Sequence, residues 1–222
     1  MWIGLAAALG LAVGEILRRR LNRLAYRLPP EDTAPGEPAE TDRPAPGQRR
    51  WIPFVLAAAW AMSAWLGTGD PTLTGWVRLA AWLAFAAIGL WLAVIDLDVQ
   101  RLPDRGQVWL AGVVVAAGIL LAWHHPIHLL AGLGSGLGCG LAFWLIHLIG
   151  RGNLGFGDVK LIMTCGMWLG LVSLTAVFAA LVAACVLALA YAGLARVRQF
   201  AFGPWLLAGT LLAGWWAAAA HG

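Results

Sequence analysis

The sequence has 222 residues, of which 61% are hydrophobic and only 12% are charged. This composition excludes an ordinary soluble globular domain and indicates a chain that is mostly dissolved in lipid. The net charge of +4 comes almost entirely from arginines between apolar runs, so it indicates membrane topology rather than nucleic-acid binding. The three cysteines are isolated and form no CxxC pair, which excludes a disulfide framework and a cysteine zinc ribbon.

The apolar runs predict an all-α integral membrane protein with about eight transmembrane helices, each of which satisfies its own backbone in lipid. The predicted spans are 1–17, 51–66, 76–95, 107–123, 127–149, two spans made by dividing 159–195 near Gly170, and 205–220. The first run has its arginines after it rather than before it, so we expect no cleavable signal peptide.

The chain divides into three predicted parts. Residues 1–28 are an N-terminal helix with a basic exit, and residues 51–222 form a membrane-embedded core. Residues 29–50 are rich in Pro, Glu, Asp and Gly and have little to bury, so we expect a flexible, exposed loop.

Alternation of the spans fixes a predicted topology. It places residues 18–50, 96–106, 150–158 and 195–203 on one side of the membrane. Every Lys and Arg except Arg78 lies there or just beside it, so the positive-inside rule makes this side cytoplasmic and puts both chain ends outside.

Two polar stretches, at Asp96–Asp104 and Gly155–Lys160, interrupt the apolar sequence on this same predicted side. Ionisable residues at such depths are costly, so their default interpretation is functional. Two close carboxyl groups share a proton, because both charges cannot persist side by side. Asp96 and Asp158 could therefore hydrolyse a peptide, one carboxylate activating water and the other, protonated, polarising the carbonyl. This reaction needs no metal and no cofactor.

The residues around these aspartates support that hypothesis in different ways. Gly155 and Gly157 would permit backbone geometry that other residues avoid and would let a substrate strand approach the loop. Lys160 could tune the pair or extend to the membrane interface. Arg101 and Arg105 either set the topology or orient the loop or a substrate carboxylate.

Other polar groups favour plainer interpretations. Asp104 is expected to be a helix N-cap or turn residue, and Glu15 to extend to the interface, pair with an arginine or contact substrate. The histidines His124, His125 and His128 are expected to form a polar turn rather than a metal site. The glycines between 132 and 140 are expected to allow close helix packing. Ser135 lacks the first glycine of a GxSG serine-protease motif, and no HExxH is present.

Residues 155–161, GFGDVKL, resemble the GxGD-[VF]-K-L signature of the type IV prepilin leader peptidases, a family of GxGD-type membrane aspartyl proteases. Asp96 stands seven residues before Pro103 in a D-x-x-x-x-R-L-P-D segment that is similar to their first catalytic segment. This spacing favours Asp96 over its rival Asp98. Residues 202–204, FGP, and the stretch from 14 to 29 match further elements of the family.

The resemblance implies an aspartic endopeptidase of the bacterial inner membrane, with Asp96 and Asp158 as its catalytic pair. Its substrates would be type IV prepilins or pseudopilins, cut at the cytoplasmic face after the glycine that ends a short basic leader. Many relatives also methylate the new N-terminus with S-adenosylmethionine through a loop that bears two CxxC pairs. Because residues 29–50 contain no cysteine, we expect peptidase activity alone, or methylation by another route.

Two other functions remain open at this stage. A small transporter could use the carboxylates to carry protons, although transporters place such groups near the bilayer midplane and often have repeated halves. A non-catalytic scaffold for pilus or secretion assembly is the third hypothesis.

Overall fold

The computed structural model describes residues 2–29, 39–44, 46–67, 70, 72–123, 126–150, 154–197 and 200–221. Within these ranges the chain forms eight α-helices and one short 3-10 turn, at Glu40–Asp42. The helices are α1 (Trp2–Leu21), α2 (Ile52–Gly67), α3 (Leu73–Val99), α4 (Asp104–Ala122), α5 (Pro126–Ile149), α6 (Phe156–Gly170), α7 (Leu174–Ala195) and α8 (Gly203–His221). The predicted all-α architecture and the division of the 159–195 run near Gly170 are confirmed.

Four of the described helices, α3, α4, α5 and α7, are long and apolar enough to cross a membrane. Helices α2 and α6 are shorter, with 16 and 15 residues, and α1 carries four charged residues near its end. That these shorter or more polar helices also span the bilayer stays a prediction.

Helix boundaries differ from the predicted spans at the two polar stretches. Helix α3 continues past the predicted end at Ile95 to Val99, so that Asp96 and Asp98 both lie in its last turn. It ends at Gln100, whose left-handed backbone lets its N–H donate to the Asp96 carbonyl, 2.9 Å away. Helix α4 starts at Asp104 with Pro103 as its N-cap, so the prediction that Asp104 is a cap or turn residue is wrong.

Consecutive helices pack closely in pairs because small residues let their backbones approach. In the α1–α2 pair, a Cβ on Gly14 would lie 2.5 Å from the Pro53 Cα atom. In the α7–α8 pair, a Cβ on Gly209 would lie 2.6 Å from the Ala180 carbonyl oxygen. Helix α3 contacts α1, α2, α4 and α8, and thus lies at the centre of the bundle.

An aromatic cluster fills the core between α3 and α6. The Trp168 ring stacks on Phe85 with centroids 6.2 Å apart and meets Trp82 edge-on at 5.0 Å. All three side chains are buried. This cluster joins the helices that carry Asp96 and Asp158.

Residues 39–44 and 46–50 fold back against this bundle. Glu40 and Arg49 are both 8% exposed, so the prediction of an exposed loop is wrong for these two residues. Arg49 donates to the Leu21 carbonyl at the end of α1, over 3.1 Å. The described part of the 29–50 segment therefore belongs to the packed structure, whereas residues 30–38 and 45 lie outside the described residues.

The glycines of α5 make a testable distinction. A Cβ on Gly136 would lie 2.9 Å from the Met163 carbonyl oxygen, whereas a Cβ on Gly134 would meet nothing within 4 Å. We expect Gly136→Ala to lower the unfolding temperature in detergent, at a cost of about 1–3 kcal/mol for overpacking. Gly134→Ala is the matched control and should leave it unchanged or raise it, because alanine favours helix. Equal unfolding temperatures for the two variants would contradict this packing.

Candidate active site

Asp96 is a carboxylate buried at the end of α3, with only 4% of its surface exposed. Its Oδ2 atom accepts a hydrogen bond from the backbone N–H of Gly203, 3.1 Å away. Gly203 is the first residue of α8. The N–H groups of a first helical turn have no partner within the helix and favour a nearby negative charge. The start of α8 thus compensates part of the cost of burying Asp96.

Asp158 lies in the first turn of α6 and is half-buried. Its Oδ1 atom is buried and has no hydrogen-bond partner among the described residues. A buried oxygen without a partner is costly, and in native proteins such atoms usually have a specific reason. This oxygen can accept a hydrogen bond from a water molecule or share a proton with a neighbouring carboxylate.

Leu102 connects the surroundings of the two aspartates. Its Cβ atom lies 3.1 Å from the place of a Cβ on Gly157, and its Cδ1 atom lies 3.4 Å from that of a Cβ on Gly203. It therefore touches both the residue before Asp158 and the residue that donates to Asp96. The structure thus brings Asp96 and Asp158 to one end of the bundle, which we call the carboxylate end.

The glycines of the GxGD motif differ from the expectation in one respect. Gly155 is the N-cap of α6 with φ −62° and ψ 138°, an extended conformation that other residues adopt readily. Neither Gly155 nor Gly157 has a left-handed φ, so neither adopts the backbone geometry that glycine was expected to permit here. At Gly157 a side chain would press on Leu102, and the predicted approach of a substrate strand to this loop stays a prediction. At Gly155 the nearest atom to an added Cβ is Asp158 Oδ2, at 3.4 Å.

Asp98, the rival for the first catalytic position, is occupied by other contacts. Arg27 donates to both of its oxygens, at 2.9 and 3.0 Å, and the Tyr26 hydroxyl also binds it. Arg49 is a second ion-pair partner at 3.5 Å. Because arginines occupy both of its oxygens, Asp98 has the contacts of a structural ion pair rather than those of a group that transfers protons.

The supporting residues of the two motifs also have partners. Lys160 forms an ion pair with Asp104, with Nζ and Oδ1 2.6 Å apart, and its Nζ lies 5.2 Å from the centroid of the Phe156 ring. Arg101 forms an ion pair with Glu40, and Pro103 is the N-cap of α4. Lys160 therefore links the first turns of α4 and α6 on the outside of the carboxylate end.

The remaining polar candidates lie away from the pair or outside the described residues. Glu15 pairs with Arg18 and Arg19 at 2.6 and 2.8 Å, as one of its interpretations predicted. His124 and His125 lie outside the described residues. In the part of the chain that is described, no group of three His, Cys, Asp or Glu side chains could hold a metal ion.

Sequence reasoning missed three contributors to this site: Leu102, Gly203 and Glu40. Leu102 and Gly203 lie within recognised motifs, but their role depends on contacts between segments that are far apart in the chain, such as Gly203 and Asp96, which are 107 residues apart. Glu40 lies 61 residues from Arg101. No local periodicity or spacing signals such a pair.

The sequence of this chain is similar to those of known proteins. The model of the type IV leader peptidase family matches residues 83–193, a region that contains both Asp96 and Asp158. The prepilin leader peptidase/N-methyltransferase of Escherichia coli (strain K12) is 32% identical over 172 residues, which are 72% of this chain and 72% of that protein.

Two further relatives are longer than the region matched. A prepilin leader peptidase/N-methyltransferase of Pectobacterium carotovorum subsp. carotovorum is 29% identical over 71% of this chain and 58% of its own length. The type 4 prepilin-like proteins leader peptide-processing enzyme of Escherichia coli O78:H11 (strain H10407 / ETEC) is 34% identical over 71% of this chain and 55% of its own length. No solved structure matches the chain.

The apolar helices and the matched region together define a multi-pass membrane peptidase. The chain belongs to the type IV leader peptidase family.

The contact between Gly203 and Asp96 predicts a sensitive position. A Cβ on Gly203 would lie 2.6 Å from Asp96 Oδ2, so Gly203→Ala must displace that carboxylate. We expect peptidase activity to fall by about 10²-fold, the effect typical of a small misplacement of a reacting group. The control is Gly193→Ala in α7, where a Cβ meets nothing within 4 Å. Cleavage by Gly203→Ala at the rate of the Gly193→Ala control would contradict this contact.

Proposed function

We propose that this protein is an aspartic endopeptidase that removes the basic leader of type IV prepilins or pseudopilins. Cleavage follows the glycine that ends the leader and takes place at the cytoplasmic face of the bacterial inner membrane. The observation that carries the proposal is the placement of Asp96 and Asp158 at one end of the bundle, where Leu102 packs on Gly157 and Gly203, in a chain of the leader peptidase family. The names of the relatives supply the substrate class.

The proposed reaction uses the two carboxyl groups as acid and base. The ionised group takes a proton from a water molecule, whose oxygen attacks the carbonyl carbon of the scissile peptide. The protonated group donates to the carbonyl oxygen. When the tetrahedral intermediate collapses, the carboxyl group that took the water proton gives it to the leaving amine, and a hydroxyl of the intermediate returns its proton to the other carboxylate. The proton belongs to the pair, and it is not assigned to one residue.

Two features of the site suit this chemistry. Asp158 Oδ1 has no partner among the described residues and can bind water, whereas Asp96 Oδ2 is fixed by Gly203. The pair lies at the ends of α3 and α6 rather than midway along them. A substrate whose cleavage site precedes its own apolar helix would present its peptide bond at this depth if that helix enters laterally between the spans.

The proposal predicts loss of cleavage when either carboxyl group is removed. We expect Asp96→Asn and Asp158→Asn each to abolish leader removal from a co-expressed prepilin, because an amide can neither accept the proton nor share it. The mobility of the prepilin on a gel gives the measurement. Glu15→Gln is the control, because Glu15 is a carboxylate of the same bundle that is paired with Arg18 and Arg19. Processing that survives either aspartate change would refute the mechanism.

This experiment also separates the alternative functions. A non-catalytic assembly scaffold would give no cleavage in the wild type while still supporting pilus or secretion assembly. A transporter would show proton-coupled uptake into liposomes by the intact protein, which the peptidase proposal does not predict.

Methylation of the cleaved product is a separate question. The relatives from strain K12 and from Pectobacterium carotovorum are named N-methyltransferases as well as peptidases. Residues 29–50 of this chain contain no cysteine, and no step of the proposed cleavage uses S-adenosylmethionine.

We therefore expect the purified protein to release a product with an unmodified N-terminus. The test incubates it with a prepilin and S-adenosylmethionine and measures the product mass. The relative from strain K12, treated identically, is the comparison. A product heavier by one methyl group would overturn this expectation and leave the peptidase proposal standing.

A further inference from the structure

Two ion-pair clusters attach the segment between α1 and α2 to the carboxylate end of the bundle. The first is centred on Asp98, which lies two residues after Asp96 and binds Tyr26, Arg27 and Arg49. Its side chain is 9% exposed, and those of Arg27 and Arg49 are 3% and 6% exposed. Buried charges of this kind persist only when they are paired, so the contacts hold a defined geometry.

The second cluster is centred on Arg101, the residue before Leu102. Its Nε and Nη2 atoms donate to the two carboxylate oxygens of Glu40, at 3.0 and 3.2 Å, and Nη2 also donates to the Tyr26 carbonyl at 2.9 Å. Bidentate pairs between a guanidinium and a carboxylate are geometrically specific as well as strong. Glu40 Oε2 also accepts the N–H of Leu28 at 2.7 Å. The direction of the Arg101 side chain is thereby fixed from two segments.

Glu40 is charged in this arrangement at neutral pH. Burial opposes its charge, but the guanidinium of Arg101 and the N–H of Leu28 outweigh that effect and hold the pKa of Glu40 below its usual range. The ion pair is consequently complete above the ordinary pKa of a glutamate, and is lost only as the pH falls through the lowered value.

The two clusters lie at the short connection between α3 and α4. The ion pairs of Asp98 hold the last turn of α3, which carries Asp96, and the ion pair with Glu40 holds Arg101, the residue before Leu102. Leu102 in turn packs on Gly157, beside Asp158, and near Gly203, the donor to Asp96. A change in the position of Leu102 would therefore be felt on both sides of the carboxylate pair.

We propose that Arg101 and Asp98 are positioning residues, through which the segment after α1 holds Asp96 and Leu102 in register with Asp158. This inference rests on the proposed function for its kinetic consequence but not for its structural one. It assigns Glu40, in the segment expected to be a flexible loop, a role in the rate of cleavage. Removing the Glu40–Arg101 pair changes neither aspartate residue, but it lets the distance between their side chains vary more widely.

The structural test measures the two positions directly. Asp96→Cys and Asp158→Cys are combined in a chain whose Cys139, Cys165 and Cys185 are replaced by alanine, and a short bismaleimide links the new thiols. We expect Arg101→Gln and Glu40→Gln to slow the linking reaction severalfold, and Glu15→Gln, which breaks a different ion pair of α1, to leave its rate unchanged. Equal linking rates in all variants would overturn the inference.

The kinetic test uses the natural aspartates and a prepilin substrate. We expect Arg101→Gln and Glu40→Gln to lower kcat by about tenfold while KM stays within twofold, since a misplaced reacting group affects the chemical step. The double variant should lose less than the two single losses multiplied together, because both single changes remove the shared Glu40–Arg101 pair, although each also removes a backbone contact of its own. Additive losses, or a change confined to KM, would overturn the inference.

Controls separate this result from unfolding and from failure of the proposed function. Arg101→Lys keeps the charge but not the bidentate geometry, so it should reproduce part of the loss in kcat at an unfolding temperature close to that of the wild type. A loss that follows the unfolding temperature instead would mark a merely structural role and overturn the inference. If the wild type cleaves no prepilin, the proposed function fails, and the linking rates still decide whether the two clusters position the aspartates.

Discussion

The burial of one carboxylate, that of Asp96, constrains the whole carboxylate end of the bundle. An ionisable group that is 4% exposed among apolar helices is costly to bury unless donors compensate it. The donor here is the first N–H of α8, and it reaches Asp96 only because residue 203 has no side chain. The start of α8 must therefore lie against the end of α3, and Leu102 fills the space that remains between them and α6.

Much of the fold could be predicted from the sequence because lipid imposes simple rules on a chain. An apolar run of sufficient length must form a helix, since the bilayer offers no other partner for its backbone. Even the division near Gly170, inside a continuous apolar stretch, followed from length alone. The helix ends at the polar stretches were harder, because the extension of α3 to Val99 depends on the left-handed turn at Gln100, a conformation that glutamine seldom adopts.

The site was predictable in its residue types but not in its contacts. The two aspartates can be picked out from the sequence because they are charges at the edges of apolar runs. This does not hold for every contact. The pairing of Glu40 with Arg101 cannot be picked out in this way, because segments that are distant in sequence come together only in the folded chain, and Pro- and Glu-rich composition suggested that nothing there would be buried. The glycines of α5 were predictable in part, because their packing role was expected but the sequence analysis did not say which of them pack. Residues 132, 136 and 140 pack against α6 while 134 and 138 meet nothing, a division that the helical repeat of 3.6 residues already contains.

The spacing of Asp96 and Asp98 gives the last turn of α3 two distinct faces. Residues two apart on an α-helix project about 200° from each other, so their side chains cannot serve the same neighbour. One face presents the carboxylate of Asp96 to the start of α8, and the other presents the carboxylate of Asp98 to Arg27, which follows α1, and Arg49, which precedes α2. A single turn of helix thus connects the contacts of Asp96 with those that hold the segment after α1. Inserting one residue between the two acids would rotate one of them about 100° away from its partners, so that only one of the two sets of contacts could form.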